Sequence, residues 1–308
     1  KMTQKQKYFL YFASSTLYLL LIFGFLIGED LNGGAKGDFY EYLETANLFA
    51  NDFSNTFFNY DERNDRHSPV IIIIISQFIK LGFSENLLRF IGLNICILNI
   101  LFFYKCIKIK FKFVDSFYLQ LLSLVILLSP TFRALSIWPD SRIYGLLFFL
   151  ISVYYFLKFD LEKKQFSFII LNSFFLAIAS YFSPNFAVFS IYFFISYVSF
   201  YGLSKQLLTY IFFNFLLAYP AFHYLFISDV FFLSSSSTPA SQHYSNSFFS
   251  LENFSNKFII ILSIIFFYYS PIIFSQKIKD VLSINIKNNI HYLVIILLIF
   301  LINIFYFN

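Results

Sequence analysis

Charge is the scarcest commodity in this chain. Only 13% of its 308 residues are Asp, Glu, Lys or Arg, against roughly 25% in soluble domains, which excludes an ordinary solvated surface. Cysteine is nearly absent: Cys96 and Cys106 sit in or at the end of one predicted helix, without the spacing of a metal or redox site. Glycine is sparse as well. Its one cluster, Gly33-Gly34-Ala35-Lys36-Gly37, lacks the Lys-Ser/Thr ending of a phosphate-cradling P-loop. No His-x-x-x-His pair or comparable ligand set supports a metal, so a divalent cation has only loop carboxylates to bind. There is no internal repeat and no separate soluble domain. The surplus of Phe, Ile, Asn, Lys and Tyr over Ala, Gly, Arg and Trp matches AT-rich coding, so the phenylalanines receive no functional weight.

What is there is hydrophobic. Apolar residues make up 58% of the chain and the mean hydropathy is +0.69, which predicts an all-α, polytopic transmembrane bundle in a single domain, 1–308. Apolar stretches about long enough to cross a bilayer run over 8–27, 86–104, 114–130, 142–158, 166–182, 185–200, 206–227, 256–275 and 290–306. With the shorter run 69–83 they give about 9 to 10 segments. The first stretch follows Lys1, Lys5 and Lys7, has no small-residue cleavage site, and reads as a retained anchor. The net charge of +5 comes from short basic loops, and therefore reports orientation in membrane lipid and not nucleic-acid binding.

Lysines cluster at 105–112, at 158–164 and at 277–287, and the positive-inside rule puts these loops with the N-terminus on the cytoplasmic side. Loops 28–67 and 131–141, and the Ser-rich stretch 228–255, then face outward. Passing from an outer loop at 67 to an inner one at 105 takes an odd number of crossings, yet 69–104 holds two apolar segments. The run 69–83 is the shorter, at a length typical of re-entrant or interfacial segments. The alternative is that it spans and that the first lysine cluster faces outward.

Much of the acid lies in loop 28–67. Phe39, Tyr42, Leu43, Ala46, Phe49 and Ala50 recur there at helical spacing, predicting an amphipathic helix against the membrane surface. Asp38 follows glycine and has Glu41 three residues on, the pattern of an N-cap with a capping box. The same position suits a general base, since a carboxylate fixed near the bilayer can take a proton from a bound hydroxyl. Asp30 is a second candidate. Asp52, Asp61, Glu62 and Asp65 read as solvated loop charges. Ser68 and Pro69 form a cap and first helical position, leaving His67 either a boundary residue or a contact for a headgroup-level phosphate. Glu85 and Arg89 have the spacing of an intrahelical pair. In 131–142, Trp138 and the arginines read as interfacial anchors with Asp140-Ser141 capping the next helix; Arg133 or Arg142 could instead hold a lipid phosphate.

Four ordered features resemble the GT-C class of membrane glycosyltransferases, which includes protein O-mannosyltransferases and aminoarabinose transferases. They are Gly37-Asp38-Phe39-Tyr40 followed by Ala46; His67-Ser68-Pro69 before an apolar run; Leu81-Gly82-Phe83-Ser84-Glu85-Asn86-Leu87-Leu88-Arg89-Phe90; and Ser129-Pro130 leading to Trp138-Pro139-Asp140. The resemblance covers about the first 160 residues. It implies a GT-C fold and a polyprenyl-phosphate-linked sugar as donor, with a glycan, lipid or protein hydroxyl as acceptor. It also implies chemistry on the extracytoplasmic side of an inner membrane, with Asp38, or Asp30 in a shifted register, as base. The set His67, Arg133, Arg142 and Asp140 is then expected around the lipid phosphate. An O-antigen polymerase or ligase is the rival enzyme, but loop 228–255 contains no arginine. A transporter or flippase is the rival of another class, but mid-span ionisable residues are scarce.

Overall fold

Thr3 opens the first helix. Its side chain accepts from the Gln6 backbone while Gln6 reaches back to the Thr3 N–H, so α1 (Gln4–Ile27) begins with a capping box and ends at Gly28, whose φ of 67° is the left-handed region glycine tolerates. The computed structural model describes residues 2–31, 34–60, 68–161 and 165–227. All of these lie in one compact unit, Lys1–Ser234, and among them there are helices and no strand. A second unit, Ser235–Asn308, falls outside the described residues. So do the predicted loop 228–255, the predicted spans 256–275 and 290–306, the lysines at 277–287, and Asp61, Glu62, Asp65 and His67.

Two helices fold the front of the first loop: α2 (Ala35–Asn51) and the short α3 (Phe53–Phe58), which Asp52 caps by accepting from the Asn55 N–H. The predicted face of α2 is the buried one, with Phe39, Tyr42, Ala46 and Phe49 inaccessible and Glu41 and Glu44 exposed. It packs mainly on α4 (Pro69–Lys80), where Ser68 is the N-cap and Pro69 the first helical residue, as expected.

Helix α5 (Glu85–Lys110) is followed by α6 (Ser116–Leu124), a short 3-10 turn, and α7 (Pro130–Ile137). Beyond lie α8 (Ser141–Leu161), α9 (Phe166–Phe182), α10 (Phe189–Tyr201) and α11 (Lys205–Phe222). Among the described residues five helices are long and apolar enough to cross a membrane: α1, α5, α8, α10 with its preceding turn, and α11 with the turn after it. The chain is thus built as an integral membrane protein. Close approach between helices needs small residues in a lipid setting; a Cβ on Gly145 of α8 would sit 2.7 Å from Phe186 Cε2. One buried polar set links three helices. Asn172 of α9 donates to the Ser152 carbonyl of α8 at 2.9 Å and accepts from the Tyr197 hydroxyl of α10 at 3.1 Å.

Two expectations change. The predicted span 114–130 is broken, because Ser129 caps a new helix that starts at Pro130 and turns 69° from the segment before it. Proline has no N–H to continue the preceding helix and suits a first turn. The region expected as loop 131–141 is therefore mostly helix α7, and only Trp138-Pro139-Asp140 separates it from α8.

The crossing problem resolves toward the shorter run. Helix α4 has 12 residues, about 18 Å at 1.5 Å per residue, too little for a hydrocarbon core of about 30 Å. Its beginning is tied to the C-terminal turn of α9, where the Ser68 hydroxyl donates to the Tyr181 carbonyl. The start of α5 meets α2, the Tyr40 hydroxyl donating to Glu85 at 3.2 Å. The far end of α5 lies beside the N-terminus, Met2 sharing a cavity with Lys108 and Lys112. Helices α1 and α5 therefore run antiparallel, with their lysine-bearing ends together.

Candidate functional site

At the opposite end from those lysines, carboxylates and arginines converge. Asp140 begins the construction. It lies directly before α8, is fully buried, and its Oδ1 accepts from the Arg142 backbone at 2.7 Å, the capping role expected of it. The same carboxylate takes Arg142 in a fork, Nε to Oδ1 and Nη2 to Oδ2, both at 2.7 Å. Two parallel bonds to a planar cation fix its plane as well as its position. Nη2 of Arg142 also donates to Asp38 Oδ2 at 3.0 Å. The structure thus brings together Asp38, Asp140 and Arg142.

Asp38 is not an N-cap. Helix α2 starts at Ala35, placing Asp38 one turn inside it, and Gly34 at the cap offers no side chain. The missing acceptor comes from across the turn: Asp30 Oδ2 takes the Lys36 N–H at 3.3 Å. The two candidate bases thereby separate in role, Asp30 finishing the helix start and Asp38 standing on the helix with a third of its side chain exposed. Among the described residues Asp38 Oδ1 accepts no hydrogen bond and Arg142 Nη1 donates none. Arg142 is 45% exposed, so it keeps unspent donors at the surface of the site.

Arg133 is elsewhere. It forms a buried bidentate pair with Glu29, Nε to Oε1 at 2.7 Å and Nη2 to Oε2, and a third bond to the Leu20 carbonyl. Gly24 makes the room, since a Cβ there would strike the Glu29 carboxylate. The arginine expected to snorkel toward lipid is instead neutralised inside the protein. Trp138, expected in an interfacial belt, is 2% exposed; its indole donates to the Glu29 carbonyl at 3.0 Å. Phe39 and Tyr40 of α2 pack on its ring, each centroid 5.9 Å away. Local hydropathy could not foretell either burial, because both depend on α7 folding back under α2.

Sequence reasoning missed the part played by Arg89. Its contact with Glu85 is a long 4.0 Å, because the guanidinium turns instead onto the Trp138 ring at 3.6 Å and donates to the Ile137 and Phe25 carbonyls at 3.3 Å. These carbonyls belong to the last turns of α7 and α1, so one cation serves the negative ends of two helices. Nearby, partial desolvation and then the Glu85 carboxylate hold the Tyr40 phenol above its ordinary pKa.

Beside this cluster opens an apolar groove of about 350 Å³. Phe39 and Pro139, neighbours of Asp38 and Asp140, form its upper wall; α4 and α5 continue it through Ile74, Ile95 and Leu98. From Leu88 to Leu98 the α5 wall spans about 15 Å along the axis. Among the described residues no group of three or more His, Cys, Asp or Glu side chains is arranged to hold a metal ion. Comparison with protein-family models, curated proteins and solved structures gave no match.

Proposed function

We propose that this protein is a GT-C-type glycosyltransferase that moves a sugar from a polyprenyl phosphate carrier to an acceptor hydroxyl. The observation that carries the proposal is the position of Asp38: a partly exposed carboxylate on a packed helix, braced by Arg142, next in sequence to Phe39, which lines an apolar groove running between helices. The groove suits an isoprenoid tail, and the polar cluster beside it suits its phosphate and sugar. By the positive-inside rule the cluster faces the extracytoplasmic side, because the lysine-rich ends lie opposite.

The acceptor oxygen attacks the anomeric carbon and the bond from that carbon to the carrier phosphate breaks, its electron pair leaving with the phosphate. Asp38 takes the hydroxyl proton as the new bond forms. Arg142, its plane set by Asp140, donates through Nη1 to the phosphate oxygens as their charge grows. One displacement inverts the anomeric configuration. Arg133 is left out of this scheme because it is paired with Glu29 where its side chain is only 14% exposed; His67 lies outside the described residues. The acceptor is a glycan, lipid or protein hydroxyl.

Asp38→Asn tests the assignment. The amide oxygen can still accept from Arg142, but the side chain can no longer accept the proton. Turnover of a purified lipid-linked sugar should fall by about 100-fold or more, with the melting temperature in detergent unchanged. Full turnover in the variant contradicts the role given to Asp38.

A further inference from the structure

At the other end of the bundle, a cavity of about 530 Å³ opens between the N-terminus and the turn from α5 to α6. Lys108 and Lys112 line it, together with Met2, Phe111, Phe113 and Val114. Among the described residues no carboxylate forms an ion pair with Lys105, Lys108, Lys110 or Lys112; Lys108 has the Tyr104 ring, 5.5 Å from its Nζ. Asp115, the one acid on the wall, is used by its own helix, Oδ1 accepting from the Phe117 N–H at 2.8 Å. Phe113 is 89% exposed, an aromatic on the same cavity wall as the two lysines.

Below the cavity, the outer face of α6 is greasy and uncovered. Ser116 and Leu119 of α6 line the cavity, Tyr118 and Leu122 on another face of α6 and Val125 in the turn after it are exposed, and α1 lies alongside with the Phe9 and Phe117 rings 6.1 Å apart. The site is therefore amphiphilic: two lysines at a pocket whose walls include Phe111, Phe113, Val114 and Leu119, with further exposed apolar side chains on the same helix. We infer that this cavity binds the headgroup of an anionic phospholipid, its phosphate between Lys108 and Lys112 and its acyl chains along α6. A soluble phosphate would satisfy the lysines but not the apolar side chains, and the lysine-bearing ends belong to the leaflet where acidic lipids attract juxtamembrane basic residues. The inference is independent of the glycosyltransferase reading.

The test uses the full chain in nanodiscs holding equal amounts of phosphatidylglycerol and phosphatidylcholine, with retained lipid read by native mass spectrometry. Wild type should keep phosphatidylglycerol in preference. Lys108→Gln with Lys112→Gln should lower its retention by about fivefold per lysine, while Lys105→Gln with Lys110→Gln, the same charge change outside the cavity, should leave it nearly intact. Excess glycerol phosphate should not displace the lipid. Equal retention of the two lipids by wild type, equal loss in both double variants, or displacement by glycerol phosphate would each overturn the inference.

Discussion

Arg89 ties three segments into one junction. Its guanidinium is stacked on Trp138 and hydrogen-bonded to the last turns of α1 and α7, so its removal leaves the Ile137 carbonyl without its donor, the Phe25 carbonyl with only the Gly28 N–H, and a tryptophan without its cation. Arg89→Ala should cost about 2–4 kcal/mol, the sum of an unsatisfied buried acceptor and a desolvated cation–π contact. Arg89→Lys should recover only part, because an ammonium cannot stack and fork at once. Thermal denaturation in detergent measures both; an Arg89→Ala protein as stable as wild type would refute the junction. The sequence showed only the spacing from Glu85 to Arg89, which is a one-helix signal. Convergence of two distant C-termini leaves no mark on local spacing. Asp38 gives the complementary lesson: Gly-Asp-x-x-Glu reads as a cap, yet the helix starts earlier because Asp30, across a turn, supplies the acceptor.

Elements were legible where length and hydropathy decide them. Helices α1, α5 and α8 lie where about 20 apolar residues predict a span, and the face of α2 followed its 3.6-residue period. The break at Ser129-Pro130 was present as a motif but not as a bend, since hydropathy continues across it. Helix α4 was the ambiguous case, and its 12 residues together with its ties to α9 and the start of α5 return it to the side it left. Single-cysteine labelling from either side of sealed vesicles checks this. Leu81→Cys and Leu31→Cys should react from one side and Phe113→Cys from the other, all three side chains being exposed. Labelling of Leu81→Cys and Phe113→Cys from the same side would mean that α4 crosses.

Taken together, the described helices segregate their charges. Lysines near the N-terminus and at the end of α5 gather at one end, while Arg142 with Asp38 and Asp140, Arg133 with Glu29, and Arg89 with Glu85 occupy the other. That division was readable from the lysine clusters alone. The groove was not, because its walls come from α2, α4, α5, α8 and α9, and no linear pattern brings Ile74 opposite Leu98. Within the candidate set the structure separates Arg142, whose guanidinium is exposed, from Arg133, which is paired with Glu29 in the interior. A structure of the full chain with a non-transferable polyprenyl phosphate sugar would decide whether that distinction is functional. The phosphate should be hydrogen-bonded to Arg142, the sugar beside Asp38, and the isoprenoid between α4 and α5 along Ile74, Ile95 and Leu98. A carrier bound on another face, with the groove empty and Arg142 still engaged only by Asp38 and Asp140, would contradict the account.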